Sequence, residues 1–236
     1  MVCLSYGARW KRNALSAKIS YPHVLVKDSA VIHSLREYLG LHLCRIVSRP
    51  LGCEPAPTGS IRYELMLERD LLPHCADPGL ELPEDQARSA LARGDLCVAA
   101  FEGERLVGYE WFAFGPTPHL PGLWVAFDRD ARYGYKKFVH PDYRGKRIAA
   151  GLSAYGDQWC LRRGCTRTVA FIDMDNHASW RASARLGSTT VGYAGYVKLF
   201  NAYLCFRSPG AKALGFRFYA PAKAAVRTRP LSVPAV

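Results

Sequence analysis

The apolar positions of this chain change period several times, and the changes mark its elements. In "SAVIHSLREYLGLHLCRIV" (29–47), Ile32, Leu35, Leu39, Leu43 and Ile46 recur at helical spacing, which predicts one helix. "RPLGCEPAPTGS" (49–60) is rich in Pro and Gly and reads as a linker, the boundary of the main domain. "IRYELMLERDL" then starts a strand from Ile61, and Pro83 opens a helix with acids in its first turn and Gly94 just past its end. Two β-runs around Glu102-Gly103-Glu104 predict a hairpin, and "GPTPHLPG" (115–122) a loop. Residues 132–139 form the next strand, with Tyr133, Tyr135 and Lys137 on one face and Phe138 on the other.

After the turn at His140-Pro141-Asp142, Ile148, Leu152, Tyr155 and Trp159 predict a helix running to Arg163 and stopped by Gly164. A strand over 166–172 follows, then a helix capped by Asp175 or Asn176 and ended by Gly187. "TVGYAGYVKLF" and "YLCFR" read as a hairpin, and 207–219 as a further strand or loop. The strand-helix-strand units imply an α/β fold: a mixed, partly parallel central sheet flanked by helices. Residues 1–60 are expected as an N-terminal extension with one helix, 61–219 as the domain, and 220–236 as a basic, mobile tail.

Composition narrows the function classes. Hydrophobic residues make up 49% of the 236, enough for a core. No apolar run approaches a membrane span, and the N-terminus lacks the continuous apolar segment of a secretory signal. The eight cysteines form no C-x-x-C pair and no zinc-ligand spacing, so no metal is expected. Scattered thiols fit a reducing, cytoplasmic location. Charge is uneven: residues 1–131 carry 14 Lys/Arg against 16 Asp/Glu, and residues 132–236 carry 18 against 4. A half this basic suits an anionic partner, such as a phosphorylated cofactor, an acidic carrier protein, nucleic acid or a membrane surface. Nucleic acid is disfavoured, because the basic tail lacks interleaved aromatics.

The basic half contains "HPDYRGKRIAAG" (140–151), a strand feeding a helix through a Gly-containing turn. Such a helix start leaves several N–H groups unpaired, and its dipole favours an anion there. Arg144, Lys146 and Arg147 add positive charge, so a diphosphate is the natural guest.

Here the sequence resembles the GNAT superfamily of acyl-CoA-dependent N-acyltransferases. The family pattern Q/R-x-x-G-x-G/A is similar to Arg144-Gly145-Lys146-Arg147-Ile148-Ala149, with Arg147 departing at the fourth position. "DNHASWRASARLGS" resembles a second family segment through Asn176, Ser179, Leu186 and Gly187. The resemblance covers about 61–206. It implies an acyl-CoA co-substrate, acetyl-CoA first, whose pyrophosphate rests on the amides of 145–149, and an amine acceptor, small molecule or protein. It also implies pantetheine along the edge of "KKFV" and a backbone N–H near Phe138 or Val139 polarising the thioester. The family's base position falls near Tyr133, so Glu110 is the nearest substitute, although an outward-facing strand glutamate is the plainer reading. The family's tyrosine acid falls at Ser183, leaving Tyr133, Tyr135 or Tyr193 as substitutes. His140 and His177 read as turn or cap residues. An acyl-carrier-protein donor and a non-catalytic acyl-CoA-binding module remain as alternatives. Glycine at 147 is expected to spare a Cβ, not to serve an unusual φ.

Overall fold

The computed structural model describes residues 40–52, 59–200 and 202–221. Their strands are β1 (Leu41–Pro50), β2 (Ile61–Leu65), β3 (Leu96–Glu102), β4 (Arg105–Ala113), β5 (Thr117–Leu120), β6 (Leu123–Ala126), β7 (Ala131–Val139), β8 (Arg167–Asp173), β9 (Thr189–Leu199), β10 (Ala202–Arg207) and β11 (Arg217–Tyr219). The α-helices are α1 (Glu68–Leu71), α2 (Glu84–Ala92), α3 (Ile148–Arg162), α4 (His177–Arg185) and α5 (Pro209–Ala213). Eight strands form the main sheet in the order β10-β9-β1-β8-β7-β4-β3-β2, and β11-β6-β5 form a small second sheet. All neighbours are antiparallel except β7 and β8. This is the expected mixed sheet flanked by helices.

Residues 41–47 do not continue a helix. They lie in β1, an interior strand paired with both β8 and β9. The sequence L-H-L-C-R-I-V fits either period over so short a run. Partners on both edges settle it, because a buried backbone must find hydrogen bonds. His42, Cys44 and Ile46 are buried, and β1 belongs to the sheet rather than to an appendage. Residues 29–39 of the predicted helix, and the tail from 222, lie outside the described residues.

The predicted loop at 115–122 instead carries β5, and the segment after 207 supplies α5 and β11. Leu123, Val125, Phe216 and Phe218 of this small-sheet region join Ile46, Tyr133, Phe171 and Tyr196 in one buried cluster. The small sheet therefore covers the β1–β8–β9 part of one face. On the same face, α1 and α2 cover β3 and β4 around Tyr109, Trp111 and Phe138, and Tyr135 packs against both clusters.

The opposite face receives α3, through Ile148 and Leu152 against Val98, Val107, Phe112 and Val139. Each fully buried large apolar side chain contributes roughly 1.5–3 kcal/mol. Gly156 permits the close approach: a Cβ there would sit 2.3 Å from the Phe112 ring. Arg49 and Arg132 converge on Asp157 of α3, an ion-pair cluster buried between helix and sheet.

Candidate active site

The two parallel strands at the centre of the sheet pair for three residues only: Ala131↔Arg167, Arg132↔Thr168 and Tyr133↔Val169. Both then continue, β7 to Val139 and β8 to Asp173, without pairing to each other. The result is an open wedge with its apex at Tyr133 and Val169.

Pairing with β4 shifts between Trp111↔Lys136 and Phe112↔Gly134, so Tyr135 is an extra residue in β7. This bulge resets the alternation of faces. Tyr133, Tyr135 and Phe138 lie on the side of the small sheet, α1 and α2, while Lys137 turns toward α3. The expected grouping of Tyr133, Tyr135 and Lys137 on one face is therefore corrected, because a simple period of two cannot register the inserted residue.

Past the bulge, backbone directions follow from one bond. His140 N–H donates to Val107 O at 2.8 Å, toward β4. Alternation then sends Phe138 N–H toward β4 as well, and the N–H groups of Lys137 and Val139 toward the wedge. The Val139 and Lys137 N–H groups thus face the wedge, and the Phe138 N–H does not.

The wedge leads to the basic turn. His140 Nδ1 accepts from Asp142 N–H over a short 3-10 turn, Pro141–Tyr143. Gly145 has φ +84 and Arg147 φ +60, and α3 begins at Ile148. Arg147 O accepts from Ala150 and Gly151. Among the described residues, no backbone carbonyl accepts from the amides of 145–149. Five consecutive donors, a helix N-terminus and the side chains of Arg144, Lys146 and Arg147 meet at one place. Arg144 Nε reaches back to Val139 O at 3.3 Å, tying the turn to the end of β7. The left-handed φ of Arg147 corrects one expectation: glycine would be favoured at this position for backbone reasons, not only for space.

Glu110 is neither outward-facing nor free. It is 4% exposed, its Oε1 lies 3.1 Å from Lys137 Nζ, and its Oε2 accepts from Ser153 Oγ at 2.8 Å. Lys137 Nζ also donates to Ser153 Oγ at 2.7 Å, closing a three-membered network on α3's face. With Arg49, Arg132, Gly134 and Ser183 these residues line a cavity of about 30 Å³ beside the wedge apex, room for one water. The structure thus separates Glu110 from Tyr133 and Tyr135, which occupy the other face.

Tyr133 is fully buried among Phe127, Phe171 and Phe216. Tyr135 donates to Asp95 Oδ2 at 3.0 Å. Burial, with the Asp95 charge beside it, holds that phenol well above the usual tyrosine range. Burial also pushes the Asp95 carboxyl up, against the lowering pull of Arg93 and Tyr135. Asp95 precedes a strand, and nothing in its local sequence signals this pairing. Tyr193 is exposed on β9. Asn176 caps α4 by accepting from Ser179 N–H at 3.0 Å, and Ser179 is buried beneath it. His177 opens the same helix.

Among the described residues no helix is long and apolar enough to cross a membrane, and no group of three or more His, Cys, Asp or Glu side chains could hold a metal ion. No curated protein matches the chain. A Drosophila protein of solved structure is similar at 12% identity and TM-score 0.48, over 75% of this chain and 58% of that one, so the chain spans less than two thirds of its length. An aminoglycoside N-acetyltransferase in complex with CoA is similar at 18% identity and TM-score 0.42, over 53% of this chain and 90% of that one. A ribosomal-protein-alanine N-acetyltransferase from Brucella melitensis biovar Abortus 2308 is similar at 23% identity and TM-score 0.39, over 53% and 89%. The model of the acetyltransferase (GNAT) family matches residues 64–188, more than half of the chain. The chain belongs to the acetyltransferase (GNAT) family.

Proposed function

We propose that the protein transfers an acyl group, acetyl first among them, from acyl-CoA to a primary amine by direct attack on the thioester. The observation that carries this reading is the continuity of wedge and cradle. Strand β7 leaves its parallel partner after three pairs and runs straight into five amides with no backbone acceptor. A long thioester-bearing arm with a diphosphate at its far end matches that shape and charge.

In this reading the amides of Gly145, Lys146, Arg147, Ile148 and Ala149 hold the pyrophosphate, with Arg144, Lys146 and Arg147 balancing its charge. The N–H groups of Val139 and Lys137 face the thioester oxygen as it gains negative charge. Tyr135 keeps its proton, which it gives to Asp95, and stacks beside Tyr133. Tyr133 shapes the aromatic wall. Glu110 neutralises Lys137 inside the protein, and serving as a base would require it to give up both its partners. Asn176 and Ser179 fix the start of α4 beside the wedge.

Purified protein is expected to release free CoA thiol from acetyl-CoA when given a suitable member of a panel of amino sugars, amino acids, polyamines and peptide N-termini. Arg144→Ala combined with Gly145→Glu is expected to abolish CoA binding by calorimetry. Unchanged binding in that double variant would refute the cradle.

A further inference from the structure

We infer that His42 and Asp173 form the proton-accepting pair for the acceptor amine, and that this amine approaches from the small-sheet face as an ammonium ion. The inference rests on the acyltransferase reading above and supplies the base that reading lacks.

Position comes first. From the last paired couple, Tyr133↔Val169, four steps along β8 reach Asp173. Four steps along β7, plus the extra residue of its bulge, reach Phe138. At about 3.3 Å per residue both lie roughly 13 Å from the apex. Asp173 is therefore level with Phe138 across the wedge, between the two N–H groups assigned to the thioester oxygen.

The face follows from alternation along β8. Val169 and Phe171 join the cluster beneath the small sheet, so Asp173, two residues on, shares their side. The other side of the wedge carries α3 and the Glu110–Lys137–Ser153 network, around a cavity with room for one water. An amine that meets Asp173 approaches the thioester from the small-sheet side.

Chemistry comes last. His42 Nε2 lies 3.0 Å from Asp173 Oδ1, with both side chains nearly buried. The Asp173 carboxylate thus stands at ion-pair distance from the imidazole. His42 Nδ1 is buried and has no hydrogen-bond partner among the described residues, a costly state unless that nitrogen has a use. The ring stacks on Tyr196 at 4.8 Å, with His119, Phe171 and Phe218 edge-on around it. His119 Nε2 lies 3.1 Å from Tyr196 Oη. The neighbouring Cys44 stays a thiol, since burial and the Asp173 charge both push it up, and its Sγ–H is given to Ala194 O.

The balanced step starts from an ammonium ion held by Asp173. One proton passes to the His42–Asp173 pair, freeing the nitrogen lone pair. That nitrogen bonds to the thioester carbon while the Lys137 and Val139 N–H groups hold the oxygen. The C–S bond then breaks, and the thiolate takes the second nitrogen proton. The amide and free thiol leave, and the pair returns its proton to solvent.

The test uses the full chain with acetyl-CoA and the amine panel, comparing wild type, His42→Gln, His42→Ala and Asp173→Asn. General-base loss typically costs about 100-fold or more in rate. We expect His42→Ala to lose at least that factor in kcat, to keep its CoA affinity within threefold, and to regain activity with added imidazole. Asp173→Asn should raise KM for the amine and lower kcat. His42→Gln, checked for folding by its unfolding midpoint, guards against a merely damaged core. A protein that turns over while both His42 variants keep kcat within threefold overturns the pair and leaves the transferase reading standing. A protein that binds acetyl-CoA without turnover on any amine overturns the pair in favour of a binding module. One that does not bind acetyl-CoA defeats both readings.

Discussion

Arg147 offers a prediction in which two effects separate cleanly. Its φ of +60 is left-handed, in a chain position where α3 begins. An L-residue there costs roughly 1–2 kcal/mol. Glycine removes that strain but adds unfolded-chain entropy worth about 0.4–1 kcal/mol. Arg147→Gly should therefore be as stable as wild type or up to about 1.6 kcal/mol more stable, a Tm gain of roughly 2–4 °C per kcal/mol in a chain of this size. Arg147→Ala removes the same cation and keeps the strained φ, so it should be about 1 kcal/mol less stable than Arg147→Gly. Both should weaken CoA binding equally at low salt, and the loss should fade near 0.5 M salt, because the side chain is exposed and its charge screened. Urea unfolding and calorimetry at two ionic strengths measure the two parts. An Arg147→Gly protein no more stable than Arg147→Ala would refute the backbone argument. Unequal CoA affinities of the two variants would refute the assignment of the binding effect to charge alone.

Other outcomes follow from the buried charges. Glu110→Gln strands Lys137 without its carboxylate and should cost about 3–5 kcal/mol, with Lys137→Met in the same chain restoring most of it; urea midpoints decide. Asp157→Asn leaves both Arg49 and Arg132 without a counter-charge and should cost at least as much, read by thermal unfolding. For Asp95 the folded carboxyl sits above its unfolded value, so folding favours its protonated form. Its favourable contribution is complete below the unfolded pKa, near 4, and is lost as pH rises through the folded one. The stability of wild type relative to Asp95→Asn should thus fall as pH climbs from about 3.5 toward 7; a flat or rising difference would contradict this.

Much of the fold was legible because its signals are local. The hairpin about Gly103, the α3 stripe of Ile148 and Leu152, and the Asn176 cap each depend on a few adjacent residues, and each is present. The failures were non-local. Residues 41–47 fit two periods, and only pairing with β8 and β9 decides between them. Pro118 argues against a strand by sequence, yet β5 is the edge of the small sheet, where proline is tolerated. The inserted Tyr135 cannot be seen from spacing, and it moves Lys137 to the face of Glu110. The cradle was readable from "RGKRIA", while the φ of Arg147 was not. His42 lies in the same stretch of ambiguous period, and its meeting with Asp173, 131 positions away in sequence, has no local signal.

The central claim is that wedge and cradle together receive an acyl-CoA. A crystal structure with acetyl-CoA soaked in tests it most directly. The account predicts the pyrophosphate within hydrogen-bonding reach of the amides of 145–149, pantetheine between β7 and β8, and the thioester oxygen on the N–H of Val139 or Lys137 with Asp173 across the wedge. Density for the diphosphate elsewhere on the protein, or an empty wedge at saturating acetyl-CoA, would contradict it.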